Sequence, residues 1–149
     1  MMLVLDKSSS MNTNPAPSAC TVMISSAQQF LTYFSPYDTI GLVSFDATAD
    51  LDLAPTVNWG DGVLSGKIGA ISWGSNTDTT AALDLAYQQI KNINLPVARN
   101  TIVLMTHGVP KGITANFPLR NYVDNRWGSL YTGTAYTPQP KRQYVRICS

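Results

Sequence analysis

The chain opens on "MMLVL" (1–5), a continuous apolar run of strand length. That pattern predicts a strand covered on both faces. The run stops at Asp6, and the hydroxyls of Ser8, Ser9 and Ser10 follow. Pro15 and Pro17 bar a helix before them, and Ser18 stands where it can cap one that starts after it. Val22, Ile24, Phe30, Leu31 and Phe34 give a loose helical stripe, which "SPYD" (35–38) ends. "TIGLVSF" (39–45) reads as a second strand, rich in β-formers. In "ATADLDLAP" (47–55), Ala49, Leu51 and Leu53 alternate with Asp50 and Asp52, the pattern of a half-exposed strand at a sheet edge. "WGDGVLSGKIGAI" (59–71) predicts a short helix weakened by glycines. "TTAALDLAYQQIKNI" (79–93) is the cleanest helix, with Leu83, Ala86, Tyr87 and Ile90 on one face. "NTIVLMT" (100–106) reads as a third buried strand, ended by His107 and Gly108. No internal repeat is visible. Residues 111–149 show no clear period except a late strand at "QYVRIC" (143–148). Strands alternating with helices predict an α/β fold with a mainly parallel sheet.

Length and composition narrow this picture. The 149 residues suit one domain, 1–149, with a sizeable core. The first residues already read as a strand, so the N-terminus is expected to be trimmed. Residues 111–149 read as an irregular tail in which the domain's closing elements are incomplete. Charged residues make up 13% of the chain, against about 25% in typical proteins. All nine acids are Asp, and the net charge is +1, which argues against nucleic acid or an anionic membrane as the main partner. The charge is uneven. Residues 1–110 set four Lys/Arg against eight Asp, and residues 111–149 set six against one. The tail mixes these cations with Tyr122, Trp127, Tyr131, Tyr136 and Tyr144. Without a nucleic-acid-binding motif, that mixture reads as a loop packing on its own domain. No segment is long enough to span a bilayer, and no signal peptide is recognisable. Cys20 and Cys148 are the only cysteines; they form one disulfide or stay two thiols, and spacing does not decide between these.

The candidate chemistry lies at three polar segments. Sites in open α/β sheets sit outside the carboxyl ends of the strands. "DKSSS" (6–10), "GSNTDTT" (74–80) and "THG" (106–108) are expected to meet there. Each is weak alone; in this order, on these elements, they are specific together. Asp46 reads as a turn former, Asp78 as a cap for the helix that follows, and Asp84 as solvent-facing. Asn12 and Asn14 fall near the proposed rim.

With those residues, the chain resembles the von Willebrand factor type A domain family. The family's metal-ion-dependent adhesion site uses D-x-S-x-S after the first strand, a Thr in a Gly-rich loop, and an Asp in a T-D-G turn. Asp6, Ser8 and Ser10 match the first element and Thr77 in "GSNTDTTAAL" the second. His107 in "THG" stands where the family has Asp. The resemblance covers roughly residues 1–110. Beyond it, "VPKGITANFP" (109–118) resembles the bacterial branch of TadG-like, pilus-associated envelope proteins. The resemblance implies a three-layer, Rossmann-like fold: a mainly parallel central sheet with one antiparallel edge strand, and helices on both faces. It also implies a non-enzymatic binding module. In that reading Mg²⁺ (or Mn²⁺) is held by Asp6, Ser8, Ser10 and Thr77, with His107 in the remaining position. A carboxylate from a partner protein completes the ion, and the setting is extracellular or the cell envelope.

The donor set agrees with that expectation. Mg²⁺ takes oxygen ligands and keeps some of its waters. Three neutral hydroxyls and one acid under-neutralise a divalent ion, which leaves charge to attract a partner's carboxylate. His107 removes one negative charge, and imidazole suits Zn, Ni or Cu better than Mg. It is therefore open whether the metal site is altered, is lost while the fold is kept, or uses His107 as an outer donor. Two other functions stay in view. One is a structural module of the same fold with a degraded site. The other is a metal-assisted hydrolase with His107 as base. The second lacks a nucleophile elbow, a P-loop and a second catalytic carboxylate.

Overall fold

A computed structural model of the chain describes residues 1–12, 18–74, 76–93, 98–107, 118–120 and 127–129. Four strands form the main sheet: β1 (Met2–Asp6), β2 (Ile40–Phe45), β3 (Ala49–Thr56) and β4 (Ile102–Met105). Their order is β3-β2-β1-β4. β1 pairs in parallel with β2 and with β4, while β3 runs antiparallel to β2 at the edge. The helices are α1 (Ala19–Leu31), α2 (Val63–Gly69) and α3 (Thr79–Ile93). This is the expected α/β sheet with one antiparallel edge strand.

Strand alternation sorts the core into two halves. Leu3 and Leu5 of β1, with Ile40 and Leu42 of β2, pack with Cys20, Met23, Ala27 and Leu31 of α1 and with Leu64 and Ile68 of α2. Met2, Val4, Val43 and Phe45 face the other way and pack with Ala82 and Ala86 of α3. Helices therefore cover both faces, and every residue of β1 is buried. Burying each large apolar side chain contributes about 1.5–3 kcal/mol.

Local chemistry sets the element ends. Ser18 is extended (φ −62°, ψ 154°), and its hydroxyl accepts from Thr21 N–H at 3.4 Å, capping α1 as expected. The turn before α2 runs through Asp61 and Gly62, both at positive φ (51° and 81°), where glycine carries no steric cost. At Gly41 a side chain would meet the Leu53 carbonyl at 2.9 Å, so glycine admits the irregular β2–β3 register there.

Four expectations need correction. α1 does not bury Val22, which is 47% exposed; its core face is Cys20, Met23, Ala27 and Leu31. α3 leaves Tyr87 half exposed and turns Ala82 and Ala86 to the sheet. In α3 small residues mark the packed face, which lets the helix axis approach the sheet, whereas α1 sets Ala27 among the larger Met23 and Leu31. β4 is only partly buried, with Leu104 at 36% exposure, because among the described residues it has a strand neighbour on one side only. The tail, expected to be irregular until "QYVRIC", contains the short antiparallel pair β5 (Pro118–Arg120) and β6 (Trp127–Ser129). "QYVRIC", Cys148 and Asn14 lie outside the described residues, as do the details of the Asn12 side chain.

Candidate metal centre

β1 ends on Asp6, which shares the strand face of Met2 and Val4 and is fully buried. Both carboxylate oxygens are engaged. Ser8 N–H donates to Oδ1 at 2.9 Å, and the Thr106 hydroxyl donates to Oδ2 at 2.6 Å. Lys7 N–H donates to the Phe45 carbonyl at 2.7 Å, which carries the β1–β2 pairing one step further. The chain then curls into a 3-10 turn, Ser9–Asn12, with Met11 N–H on the Ser8 carbonyl at 3.0 Å. Met11 is buried in the α1 side of the core, so its burial draws the serine segment across the strand end. The hydroxyls of Ser8 and Ser10 then lie 3.1 Å apart.

The second segment is tied to the same end of the sheet. Gly74 N–H donates to the Lys7 carbonyl at 2.8 Å, and Asp78 N–H donates to the Asp46 carbonyl at 2.6 Å. Thr77, between these two anchors, is 4% exposed. The Asp78 carboxylate accepts from Ala81 N–H at 3.0 Å, so it caps α3 as expected. Asp46 accepts from Thr48 N–H at 3.1 Å and from the Thr48 hydroxyl at 3.3 Å, the turn role expected of it. It has a further role that the sequence does not announce. A Cβ on Gly74 would overlap the Asp46 carboxylate, so glycine is what lets the loop lie against β2. Lys7 forms an ion pair with Asp50 of β3, beside the loop.

At the third segment the structure brings the hydroxyl of Thr106, not named above as a site residue, onto Asp6; Thr106 and His107 are both exposed. The T in "THG" was the available signal. Its role depends on β4 lying in register beside β1, which no local pattern reveals. Asp6, Ser8 and Ser10 are linked directly or through neighbours, and Thr77 lies between Gly74 and Asp78, whose backbone bonds tie their segment to the same edge.

These residues fit a hard divalent cation. One buried carboxylate and three hydroxyls are oxygen donors suited to Mg²⁺ or Mn²⁺. The Thr79 hydroxyl, at the start of α3, is buried and has no hydrogen-bond partner among the described residues, so this end of the molecule retains unused polar capacity. Among the described residues no three His, Cys or Asp side chains converge, so the donor set is not of the zinc-cluster type.

A family model for the von Willebrand factor type A domain matches residues 1–109. The chain belongs to the von Willebrand factor type A domain family. Such domains often mediate protein interactions, some through a metal ion. Solved structures agree with the type A fold. Three N-terminal domains of the type V pili tip protein Mfa5 from Porphyromonas gingivalis match with a TM-score of 0.66 and 25% identity, over 83% of this chain and 21% of that one. BatB from Bacteroides thetaiotaomicron matches with a TM-score of 0.60 and 15% identity, over 85% and 73%. Proximal thread matrix protein 1 from the mussel byssus, solved with zinc in its metal-ion-dependent adhesion site, matches with a TM-score of 0.58 and 17% identity, over 69% and 27%. The chain thus spans about a fifth of the Mfa5 fragment. No curated protein matches it in sequence. Among the described residues no helix is long and apolar enough to cross a membrane.

Proposed function

We propose that this type A domain is a divalent-cation-dependent protein-binding module that serves adhesion or assembly at the cell envelope or outside the cell. Asp6, Ser8, Ser10 and Thr77 would hold Mg²⁺ or Mn²⁺ at the carboxyl edge of the sheet. When bound, the ion supplies positive charge that a carboxylate of a partner protein can complete. Asp6 gives the site its negative charge and acts on the ion or on one of its waters. Ser8 and Ser10 give neutral oxygens, and Thr77 gives another from the neighbouring loop. The observation that carries this reading is the buried Asp6 carboxylate, held on both oxygens, beside two serine hydroxyls 3.1 Å apart. Among the described residues no cationic side chain pairs with Asp6, and a buried carboxylate is favoured where a cation joins it. The envelope setting is supported by relatives that include a pilus tip protein and an aerotolerance-related membrane protein from Bacteroides fragilis.

Calorimetric titration with Mg²⁺ and Mn²⁺ tests the proposal. The parent protein should bind, and Asp6→Ala should not, while circular dichroism shows the sheet intact. An Asp6→Ala variant that binds as tightly as the parent would sink the cation reading. A second reading, a structural type A module without a working metal site, is favoured by the exposed His107 where the family carries Asp. It predicts that the parent protein binds neither ion.

A further inference from the structure

We infer that Thr106, rather than His107, is the residue through which β4 serves the candidate cation site, and that it acts by fixing the Asp6 carboxylate. The inference rests on the cation-binding reading for its functional meaning. The geometry itself is independent of any ion.

The last paired residues of β1 and β4 are Leu5 and Met105, so the next step sets Thr106 beside Asp6. The hydroxyl reaches Asp6 Oδ2 at 2.6 Å. A carboxylate turns through a broad, roughly twofold torsion, so one hydrogen bond leaves its plane poorly defined. Ser8 N–H holds Oδ1 from the segment that follows β1, and Thr106 holds Oδ2 from the neighbouring strand. Two donors from different elements leave a single orientation. Each oxygen keeps acceptor capacity, because a carboxylate oxygen has two lone pairs. Thr106 spends its proton on Asp6, so it is a positioning residue and not the source of charge. Thr106 and His107 are both exposed, so what distinguishes Thr106 is its bond to Asp6.

The test compares Thr106→Val, Thr106→Ala, Thr106→Ser and His107→Ala in the full chain, with two readouts. One is Mn²⁺ affinity by calorimetry. The other is hydrogen exchange of the Ser8 amide in metal-free protein, which reports whether Asp6 still holds that N–H. Loss of the hydroxyl in the Val or Ala variant should weaken Mn²⁺ binding by about tenfold or more. It should also speed Ser8 exchange several-fold by freeing the carboxylate. Thr106→Ser should restore both, and His107→Ala should change neither. The Ala variant serves should Val disturb the strand end. Unchanged Ser8 exchange without the hydroxyl, no rescue by Ser, or an equal loss from His107→Ala would each overturn the inference. A parent protein that binds no Mn²⁺ overturns the cation reading and the functional half of this one, while the exchange result still decides whether Thr106 positions Asp6.

Discussion

Replacing Thr79 by Val should stabilise the metal-free protein. Thr79 is the first residue of α3 and is 7% exposed. Its hydroxyl has no hydrogen-bond partner among the described residues. A hydroxyl buried without a partner costs about 1–3 kcal/mol by mutational data. Valine is also β-branched, so the rotamer restriction in the first turn is similar. Thr79 shares the buried face of α3 with Ala82 and Ala86, so the methyl that replaces the hydroxyl stays out of water. The net gain should therefore lie at the low end, about 1 kcal/mol, after allowance for imperfect packing. In a chain of this size that raises Tm by about 2–4 °C. Urea unfolding in EDTA measures it directly, as a higher midpoint at constant slope. A loss of about 0.5 kcal/mol or more would show that the hydroxyl already has a partner, since removing a satisfied group destabilises. Mn²⁺ supplies a second arm. If the unused hydroxyl serves a water of the bound ion, the variant should bind Mn²⁺ more weakly despite its greater stability.

Two further outcomes follow from the geometry of the edge. Gly74→Ala should lower stability by about 1–3 kcal/mol through overpacking against Asp46, and should weaken Mn²⁺ binding because the loop that carries Thr77 must shift; thermal melts and calorimetry read the two effects, and an unperturbed variant would disprove the close approach. His107→Asp should tighten Mg²⁺ binding by about tenfold, or roughly 1.4 kcal/mol, by adding a carboxylate that the imidazole does not supply; equal affinity would show that a carboxylate at this position does not reach the ion.

The central strands were legible from the sequence because burial on both faces leaves an uninterrupted apolar run. β1 and β2 show it, and every residue in them is buried. The edge position of β3 was legible too, but its faces were not: Leu51 is 40% exposed, and Ala49 and Leu53 pack into opposite halves of the core, because the register irregularity against β2 interrupts the alternation. The helix faces were less legible. Leu31 and Ala86 were named and are buried, but Met23, Ala27 and Ala82 also carry the contact while Val22 and Tyr87 do not, because bulk is a poor guide where a helix lies close to a sheet. Asp6, Ser8 and Ser10 could be read together because they are neighbours in the chain. Thr106 could not, since 100 residues separate it from the carboxylate it holds. The fit of Gly74 to Asp46 was hidden for the same reason: it joins two loops that only the folded sheet brings face to face.

That separation has a consequence for how the molecule assembles. β2 and β3 are joined by a short turn and can zip together early, as a local hairpin. The parallel partners of β1 arrive only through long crossovers, and the β4 partner arrives last in chain order. Closing so long a loop costs entropy before any contact returns it. A chain emerging from the ribosome can form β1, β2 and β3 while the second clasp on Asp6 has yet to be synthesised. The acid is therefore held on both sides only after β4 docks. A ligand that prefers the finished arrangement would stabilise the β1–β4 pairing in particular, and removing it should loosen that seam before the rest of the sheet.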